Sequence, residues 1–235
     1  MITNKILDPI VSIQVDTMLF NFPLKIERLV DKIWESAVKQ NPTSLRDNLI
    51  LIFCGYEKGV IKARLCNYRF YYAQHQIPEL YSSLGLNSLA VSGVLTCKNG
   101  LVIGKRGFDM LQDAGLFELV PSGAFDYYHF KNINKNLESQ IFSELEEEIG
   151  LIKSDLNKVK IISMVINPKL HVVDLVFDLR TGLSAREIKN RWLDKGNREY
   201  SEIYIIPKLL LKFLSIVFKK NFSHTSREII KYVNF

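Results

Sequence analysis

The sequence concentrates carboxylates at one place. Glu144, Glu147 and Glu148 are spaced i, i+3 and i+4, so on a helix their side chains gather within reach of one point. Carboxylates held this close repel one another, and a divalent cation is the usual way to offset that repulsion. A run of glutamates is also typical of a solvated helix face. The spacing therefore leaves two interpretations open, a metal site and a solvent-facing stripe.

The acidic run lies on a predicted amphipathic helix. Apolar residues recur at every fourth position from Leu137 to Ile149, which places them on one face of a helix. Gly150 follows at the point where a left-handed residue commonly ends a helix. We therefore expect a helix within 137–151, stopped at Gly150, that docks on a core with its apolar face and carries the three glutamates beside that face.

Two strands and a loop precede this helix. Residues 87–96 predict a buried strand and 101–106 predict a second one, with an Asn-Gly turn signal between them. A Pro-Ser-Gly loop, whose last two residues are Ser122 and Gly123, then leads toward the acidic helix. The chain thus places a hairpin and a glycine-containing loop directly before its carboxylate cluster.

This order of elements resembles the Nudix hydrolases. Their signature helix reads Arg-Glu-aliphatic-x-Glu-Glu-x-Gly-aliphatic, and residues 143–151 here read Ser-Glu-Leu-Glu-Glu-Glu-Ile-Gly-Leu. Ser143 stands where the family has Arg, and the loop from Gly123 to Ser143 is longer than the family's. The family's earlier glutamate has no clear counterpart, since Asp126 is the nearest acid.

A relaxed signature with a longer loop is similar to the Nudix branch that hydrolyses UDP-glucose and UDP-galactose. The resemblance implies an α/β fold, a Nudix-type α/β/α sandwich with a mixed sheet. It also implies Mg²⁺, with Mn²⁺ as an alternative, bound by Glu144 and Glu148. Glu147 would be a third ligand or the general base.

The resemblance assigns roles outside the helix as well. In many Nudix enzymes the base comes from a later loop, and Glu199 and Glu202 lie where that loop would fall; each is also explained as a solvated loop acid. Arg106 has two interpretations: it pairs with a phosphate group of the substrate, or it is an ordinary surface arginine. Ser122 and Gly123 would bring the backbone against the diphosphate.

The rest of the chain divides into two predicted parts, a small N-terminal α+β extension over 1–85 and a Nudix hydrolase domain over 86–235. The extension opens with one or two edge strands within 6–19 and an amphipathic helix over Leu24–Gln40, which we expect to end before Asn41-Pro42. The elements predicted after these are a hairpin over 49–67, strands at 159–166 and 172–179, a helix from Ser184, a short strand at 204–206, and helices over 207–219 and from about 223 to 233.

Composition sets further bounds. With 235 residues and 47% apolar content the chain can bury a substantial core. No apolar run reaches the roughly 18 residues of a membrane span, and the first residues lack the pattern of a secretory signal, so we expect a cytoplasmic protein. Cys54, Cys66 and Cys97 lack disulfide and zinc-ligand spacing, and we interpret them as buried thiols in a reducing compartment.

The net charge of +6 raises the question of a polyanionic partner. The basic residues are spread along the chain and no nucleic-acid-binding motif is present, so we expect no nucleic-acid partner and no membrane partner. The expected partner is a small-molecule nucleotide sugar, and the sequence leaves the oligomeric state open.

The sequence predicts an enzyme, a Nudix-type nucleoside diphosphate-sugar diphosphatase that hydrolyses UDP-sugars to UMP and a sugar 1-phosphate with Mg²⁺. Two alternatives remain. One is a Nudix hydrolase of ADP-ribose or another nucleoside diphosphate derivative. The other is a Nudix-fold binding module with weak or lost catalysis, as the missing arginine would suggest.

Overall fold

One mixed sheet with helices on both faces makes up the protein. The computed structural model describes residues 4–5, 12–40, 45–110, 112–128, 137–197 and 199–232. The predicted α/β class is confirmed in these segments.

The described segments contribute eleven strands to the sheet. The strands are β1 (Asn4–Lys5), β2 (Ser12–Leu19), β3 (Leu49–Glu57), β4 (Val60–Asn67), β5 (Ser88–Cys97), β6 (Gly100–Arg106), β7 (Phe117–Leu119), β8 (Ser122–Ala124), β9 (Leu156–Asn167), β10 (Val172–Thr181) and β11 (Tyr200–Ile206). Their order is β1-β9-β10-β5-β3-β4-β2, with β8 and β6 pairing to β5 and with β7 and β11 pairing to β6. The pairs β5–β10 and β2–β4 are parallel, and the other pairs are antiparallel.

The helices connect these strands and cover them. They are α1 (Leu24–Gln40), α2 (Tyr68–Gln76), α3 (Tyr81–Leu84), α4 (Leu137–Glu144), α5 (Ala185–Lys195), α6 (Lys208–Val217) and α7 (His224–Tyr232). A π-helical turn, Leu145–Ile149, continues α4. Short 3₁₀ turns lie at Pro78–Leu80, Lys153–Asp155 and Lys219–Asn221.

Alternation along β5 explains the layered arrangement. Val91 belongs to the same buried cluster as Ile141 of α4, whereas Val94 belongs to a cluster with Ile229 of α7. Successive side chains of a strand point to opposite faces, so α4 and α7 lie on opposite faces of the sheet. The predicted sandwich of helices around a mixed sheet follows from this pattern.

The N-terminal elements have a cluster of their own. Val30 of α1, Phe70 and Tyr71 of α2, and Ile52 of β3 are buried together. Ile52 also pairs with Ser88 of β5, so the strands of 1–85 continue the same sheet as the rest of the chain. A division of the chain at residues 85 and 86 stays a prediction.

Local sequence signals account for several element boundaries. The hairpin of β3 and β4 turns at Lys58 and Gly59, both at positive φ (47° and 82°), which suits a two-residue hairpin turn. Ser184 accepts a hydrogen bond from the Glu187 N–H while Glu187 accepts one from the Ser184 N–H, which is the predicted capping box of α5. These elements are confirmed.

Two sequence expectations are wrong. Cys54 is exposed and is not a buried thiol, because β3 bulges between Phe53 and Gly55 and leaves Cys54 outside the pairing with β4; Cys66 and Cys97 are buried as predicted. The strand predicted at 204–206 begins at Tyr200, since β11 pairs with β6 along most of its length.

Other expectations fall outside what the structure describes. These are the helix end at Asn41-Pro42 and the part of the 6–19 strand region that precedes residue 12. No helix in the described segments has both the length and the apolar character required to cross a bilayer.

Candidate active site

The acidic segment folds as an α-helix that widens into a π-helical turn. α4 ends at Glu144, the π-turn covers Leu145–Ile149, and Gly150 ends it at φ 74°. Ile141 and Leu145 are fully buried, so the predicted apolar stripe is confirmed. A π-turn changes which side chains share a face, and such turns are common at functional sites. Of the three glutamates of the predicted cluster, Glu144 and Glu148 stay together and Glu147 lies apart.

Glu148 is the most enclosed of the three. Its side chain is fully buried, and its carboxylate accepts a hydrogen bond from the Ser122 N–H at 3.2 Å. The hydroxyl of Tyr200 lies 3.0 Å from the same oxygen, Oε2. Glu148 therefore joins the acidic helix to the start of β8 and to β11.

Glu144 lies against the next residue of β8. Gln140 donates a hydrogen bond to Glu144 Oε1 at 2.7 Å. A Cβ atom at position 123 would overlap the Glu144 carboxylate, so Gly123 is what allows the carboxylate to approach the backbone. Ser122 and Gly123 thus hold the carboxylates of Glu148 and Glu144 at two successive residues of one strand.

A second pair of carboxylates surrounds one arginine. Arg106 Nη1 lies 2.5 Å from Glu118 Oε1 and 2.7 Å from Glu199 Oε1. Its Nε donates to the carbonyl of Gln112 at 3.0 Å. The Tyr200 hydroxyl also lies 2.9 Å from Glu118 Oε1, so this pair connects to Glu148 through one phenol.

Negative charge in this region exceeds the local positive charge. Burial raises the pKa of Glu118 to about 7 and that of Glu144 to about 8, and repulsion from Glu199 adds to both shifts. Burial, followed by repulsion from Glu199, Glu144 and Glu118, holds the pKa of Glu148 well above its usual range. Burial opposes the charge on Arg106, yet Glu118 and Glu199 raise its pKa. A cation at Glu144 and Glu148 would favour their charged forms.

The carboxylate oxygens of Glu144 and Glu148 are the kind of ligand that a hard divalent cation binds. Carboxylate oxygens are ligands that Mg²⁺ accepts, and Mg²⁺ sites commonly use one or two carboxylates completed by phosphate oxygens and waters. Within the described residues, no group of three or more His, Cys, Asp or Glu side chains could hold a metal ion by itself. Glu144 and Glu148 are therefore candidates for a two-carboxylate site that a phosphorylated ligand would complete.

A cavity of about 250 Å³ opens beside this strand on the face opposite α4. Its walls combine the charged residues of the site with tyrosines of α2 and polar side chains of the sheet. They include Arg106, Glu118, Ser122, Gly123, Glu199, Tyr68, Tyr71, Ser92 and Asp174. The segment that holds the two carboxylates is thus also a wall of this cavity.

Asp174 supplies a polar group to that wall. Ser92 donates a hydrogen bond to its Oδ1 at 2.9 Å, while Oδ2 is buried and has no hydrogen-bond partner in the described segments. Burial raises the pKa of Asp174 to about 7. A buried oxygen without a partner is costly, so a ligand group in the cavity is a reasonable partner for it.

The structure brings together most of the predicted site residues. Glu144, Glu148, Ser122 and Gly123 are in contact, and Arg106 pairs with Glu199 beside them. Arg106 is a partly buried residue of the site that is ion-paired, and it is not a free surface arginine. Its positive charge already faces two carboxylates.

Two predicted residues lie elsewhere. Glu147 is exposed and accepts a hydrogen bond from the Ser143 hydroxyl at 2.9 Å. Glu202 is exposed on β11 and accepts one from the Tyr204 hydroxyl at 2.5 Å, so its placement in a loop is wrong. Neither side chain lines the cavity beside the carboxylates. Their catalytic roles stay predictions.

Sequence reasoning missed Glu118, Tyr200 and Asp174. Glu118 and Asp174 each interrupt an apolar strand, and a charge inside a buried strand is a usable signal because it must find a partner. Tyr200 gave no such signal, since a tyrosine at the start of a strand is ordinary.

Comparison with solved structures finds several partial matches at low sequence identity. DR0079 from Deinococcus radiodurans is 14% identical with a TM-score of 0.47, over 61% of this chain and 81% of that one. A NUDIX-family hydrolase from Clostridium perfringens is 14% identical with a TM-score of 0.40, over 62% and 94%.

A third similar structure is a bifunctional NMN adenylyltransferase/ADP ribose pyrophosphatase from Francisella tularensis, complexed with AMP and Mn ion. It is 12% identical with a TM-score of 0.44, over 68% of this chain and 45% of that one. No family model and no curated protein matches the sequence. Similarity at this level does not decide what the chain does.

Proposed function

We propose that the protein is a Mg²⁺-dependent hydrolase that cleaves the diphosphate bond of a nucleotide sugar of the UDP-glucose or UDP-galactose type. The observation that carries this proposal is the position of Glu144 and Glu148. Both carboxylates contact β8 at Ser122 and Gly123, the same residues that line the cavity. A diphosphate that reaches this segment of β8 would lie next to the two carboxylates.

The charge balance supports a metal at this place. Among the described residues no cation pairs with these two carboxylates, whose pKa values are raised, because Arg106 is paired with Glu118 and Glu199. Bound Mg²⁺, or Mn²⁺ in its place, would neutralise the carboxylates and polarise phosphate oxygens. Glu144 and Glu148 would hold the metal ion. Glu118 is a weaker candidate ligand, because its carboxylate is already bonded to Arg106 and Tyr200.

Glu199 is the best placed candidate for the general base. It lines the cavity, is only partly buried, and has one oxygen paired with Arg106. That pairing orients the carboxylate and leaves the other oxygen for a water molecule. Glu147 and Glu202 are weaker candidates, because both are exposed and bonded to neighbours outside the cavity.

The wall of the cavity formed by Asp174, Ser92, Tyr68 and Tyr71 fits a ligand group rich in hydroxyls. Asp174 offers a buried carboxyl oxygen that has no partner among the described residues, and Ser92 bonds to its other oxygen. Tyr68 and Tyr71 add aromatic surface to the same cavity. Hydrogen-bonding groups beside aromatic rings are typical of sites for sugars and nucleosides. This wall supports a nucleotide sugar over inorganic diphosphate.

A nucleotide-binding module without turnover is the second candidate. Ser143 replaces the arginine of the resembled signature, and the described residues lack a three-ligand metal group. A module of this kind would bind the nucleotide in the cavity but would lack metal-dependent hydrolysis.

The test is hydrolysis of a substrate panel with and without Mg²⁺. The panel contains UDP-glucose, UDP-galactose, ADP-ribose and NADH, and the proteins are wild type, Glu148→Gln and the control Glu146→Gln. Glu146 is an exposed neighbour on the same turn. We expect Mg²⁺-dependent release of UMP from a UDP-sugar by wild type and by Glu146→Gln, with loss in Glu148→Gln.

Other outcomes separate the alternatives. Turnover of ADP-ribose with both UDP-sugars untouched would refute the sugar-nucleotide assignment while keeping the hydrolase. No turnover across the panel, with a nucleotide still raising the melting temperature, would refute the hydrolase and leave the binding module.

A further inference from the structure

Helix α6 presents a broad apolar surface to solvent. Five of its side chains and the residue that follows it are each at least 50% exposed, and Leu209 reaches 93%. The set is Leu209, Leu210, Phe213, Ile216, Val217 and Phe218. Leaving so many large apolar side chains in water is unfavourable, and contiguous patches of this kind mark interaction sites.

The helix is attached to the protein by a narrow stripe. Only Leu211 and Ser215 of α6 are buried, and Leu211 packs in the cluster that contains Ile103 of β6 and Ile229 of α7. Leu209, Phe213 and Ile216 follow the i, i+4, i+7 spacing of one helix face. The exposed apolar face is therefore a continuous stripe turned away from the sheet.

The charged residues along this segment have one sign. Lys208 and Lys212 lie on the helix, and Lys219 and Lys220 follow it. No aspartate or glutamate occurs between Glu202 and Glu228 in the sequence. A helix with lysines beside a stripe of leucine and phenylalanine has the composition of segments that lie in the interface of an anionic lipid bilayer.

A second copy of the chain fits this surface less well. Two such helices packed together would place lysines of both copies near one another without an acid from the same segment to offset them. A helix of ten residues is also only about 15 Å long. A contact confined to a helix of this length would bury less surface than the roughly 800 Å² per partner of a stable interface.

We propose that α6, with Phe218 and the lysines at its end, docks on an anionic lipid membrane surface. The helix would lie in the plane of the headgroups, with Leu209, Phe213 and Ile216 inserted below them. No span is involved, since the helix is too short to cross a bilayer. The proposal differs from the sequence-based expectation of no membrane partner, which stays a prediction, and it is independent of the proposed hydrolase activity.

The test is co-sedimentation of the full chain with lipid vesicles. One set of vesicles contains phosphatidylcholine and phosphatidylglycerol in equal parts, and the other contains phosphatidylcholine alone. We expect binding to the anionic vesicles that weakens as salt is raised, and weak or no binding to the neutral ones. Thermal unfolding followed by tryptophan fluorescence or by circular dichroism checks that each variant is folded.

Two variants and a matched control separate the contributions. Leu209→Ser with Phe213→Ser should weaken vesicle binding about tenfold or more, because two inserted side chains are lost. Lys219→Gln with Lys220→Gln should weaken it about fivefold for each lysine removed. Leu193→Ser, at an exposed leucine of α5, should leave binding unchanged.

Two results would overturn the proposal. One is the absence of binding to anionic vesicles by folded wild-type protein. The other is a particle of two chains in light scattering that becomes a single chain in the Leu209→Ser, Phe213→Ser variant and shows no vesicle binding, which would assign the surface to a second copy.

Discussion

The Tyr200 hydroxyl oxygen lies 3.0 Å from Oε2 of Glu148 and, on its other side, 2.9 Å from Oε1 of Glu118. A phenol has one hydrogen to donate, so it serves only one ionised carboxylate as a full donor. The second contact is favourable when the other carboxyl carries a proton and donates it to the phenol oxygen. The raised pKa values of both carboxyls agree with such a shared proton.

Tyr200→Phe should therefore destabilise the fold. Removing the hydroxyl leaves two buried carboxyls with one partner fewer, and a cost of about 1–3 kcal/mol is expected in the absence of metal. Urea unfolding at neutral pH measures the change. Tyr204→Phe is the matched control, because its hydroxyl meets the exposed Glu202 and its loss should cost less than about 1 kcal/mol. Equal losses in both variants would contradict a structural role for the buried phenol.

Gly123→Ala should raise the Mg²⁺ concentration needed for half-maximal activity. The added methyl group occupies the space of the Glu144 carboxylate, which must then rotate away from β8. Displacing a ligand group commonly costs about 10–100-fold in metal affinity. Activity measured against Mg²⁺ concentration gives the shift. Gly182→Ala, in the loop after β10, is the control and should leave the Mg²⁺ dependence unchanged, so a shift in both would point to general destabilisation.

Glu199→Gln should reduce kcat by about 10²–10⁴ with little effect on KM, because the amide cannot accept a proton from water. Glu202→Gln removes the same charge three residues later on an exposed side chain and should stay near wild type. Steady-state kinetics on the active substrate of the panel compares them. A large loss in Glu202→Gln together with an active Glu199→Gln would move the base to Glu202.

Stability should fall as pH rises through the range in which Asp174 loses its proton. Its pKa is raised from 3.8 to about 7 by burial, so between these values the folded state binds more protons than the unfolded state. The free energy of unfolding that the Asp174 proton contributes is fully present below pH 3.8 and is lost by about pH 7. It amounts to about 1.4 kcal/mol for each unit by which the pKa is raised.

Asp174→Asn should remove this part of the pH dependence. The amide keeps the shape of the carboxyl and can still accept from Ser92, but it does not titrate. Urea unfolding at a series of pH values should show a flatter decline for the variant. Identical slopes in wild type and variant would show that the folded protein does not hold the Asp174 proton.

The sequence predicted the parts of the molecule that depend on local pattern. The apolar stripe from Leu137 to Ile149, the Lys58-Gly59 turn and the cap at Ser184 are each encoded within a few residues, and each is confirmed. The contact of Glu148 with β8 was not visible in the sequence, although Ser122 and Gly123 were both candidates. Only the folded chain brings residues this far apart in sequence together.

The remaining site residues depend on long-range contacts. Glu118 is held by Arg106 and Tyr200, which come from two other strands. Glu147 lies exposed within the π-turn, and a π-turn has no signature in composition or in a repeat of four. The bulge that exposes Cys54 is likewise set by the pairing of β3 with β4 and not by the residues around it.

The π-turn at Leu145–Ile149 also makes the length of this segment critical. A π-turn holds about one residue more than the α-helical turn it replaces. Deleting one residue between Glu144 and Glu148 would leave a sequence that still favours a helix, now closed as an ordinary α-turn. Glu148 would then follow Glu144 at three residues instead of four, and its contact with the Ser122 N–H would be lost. The number of residues in the turn, as much as their identity, is therefore what aligns this carboxylate with its strand.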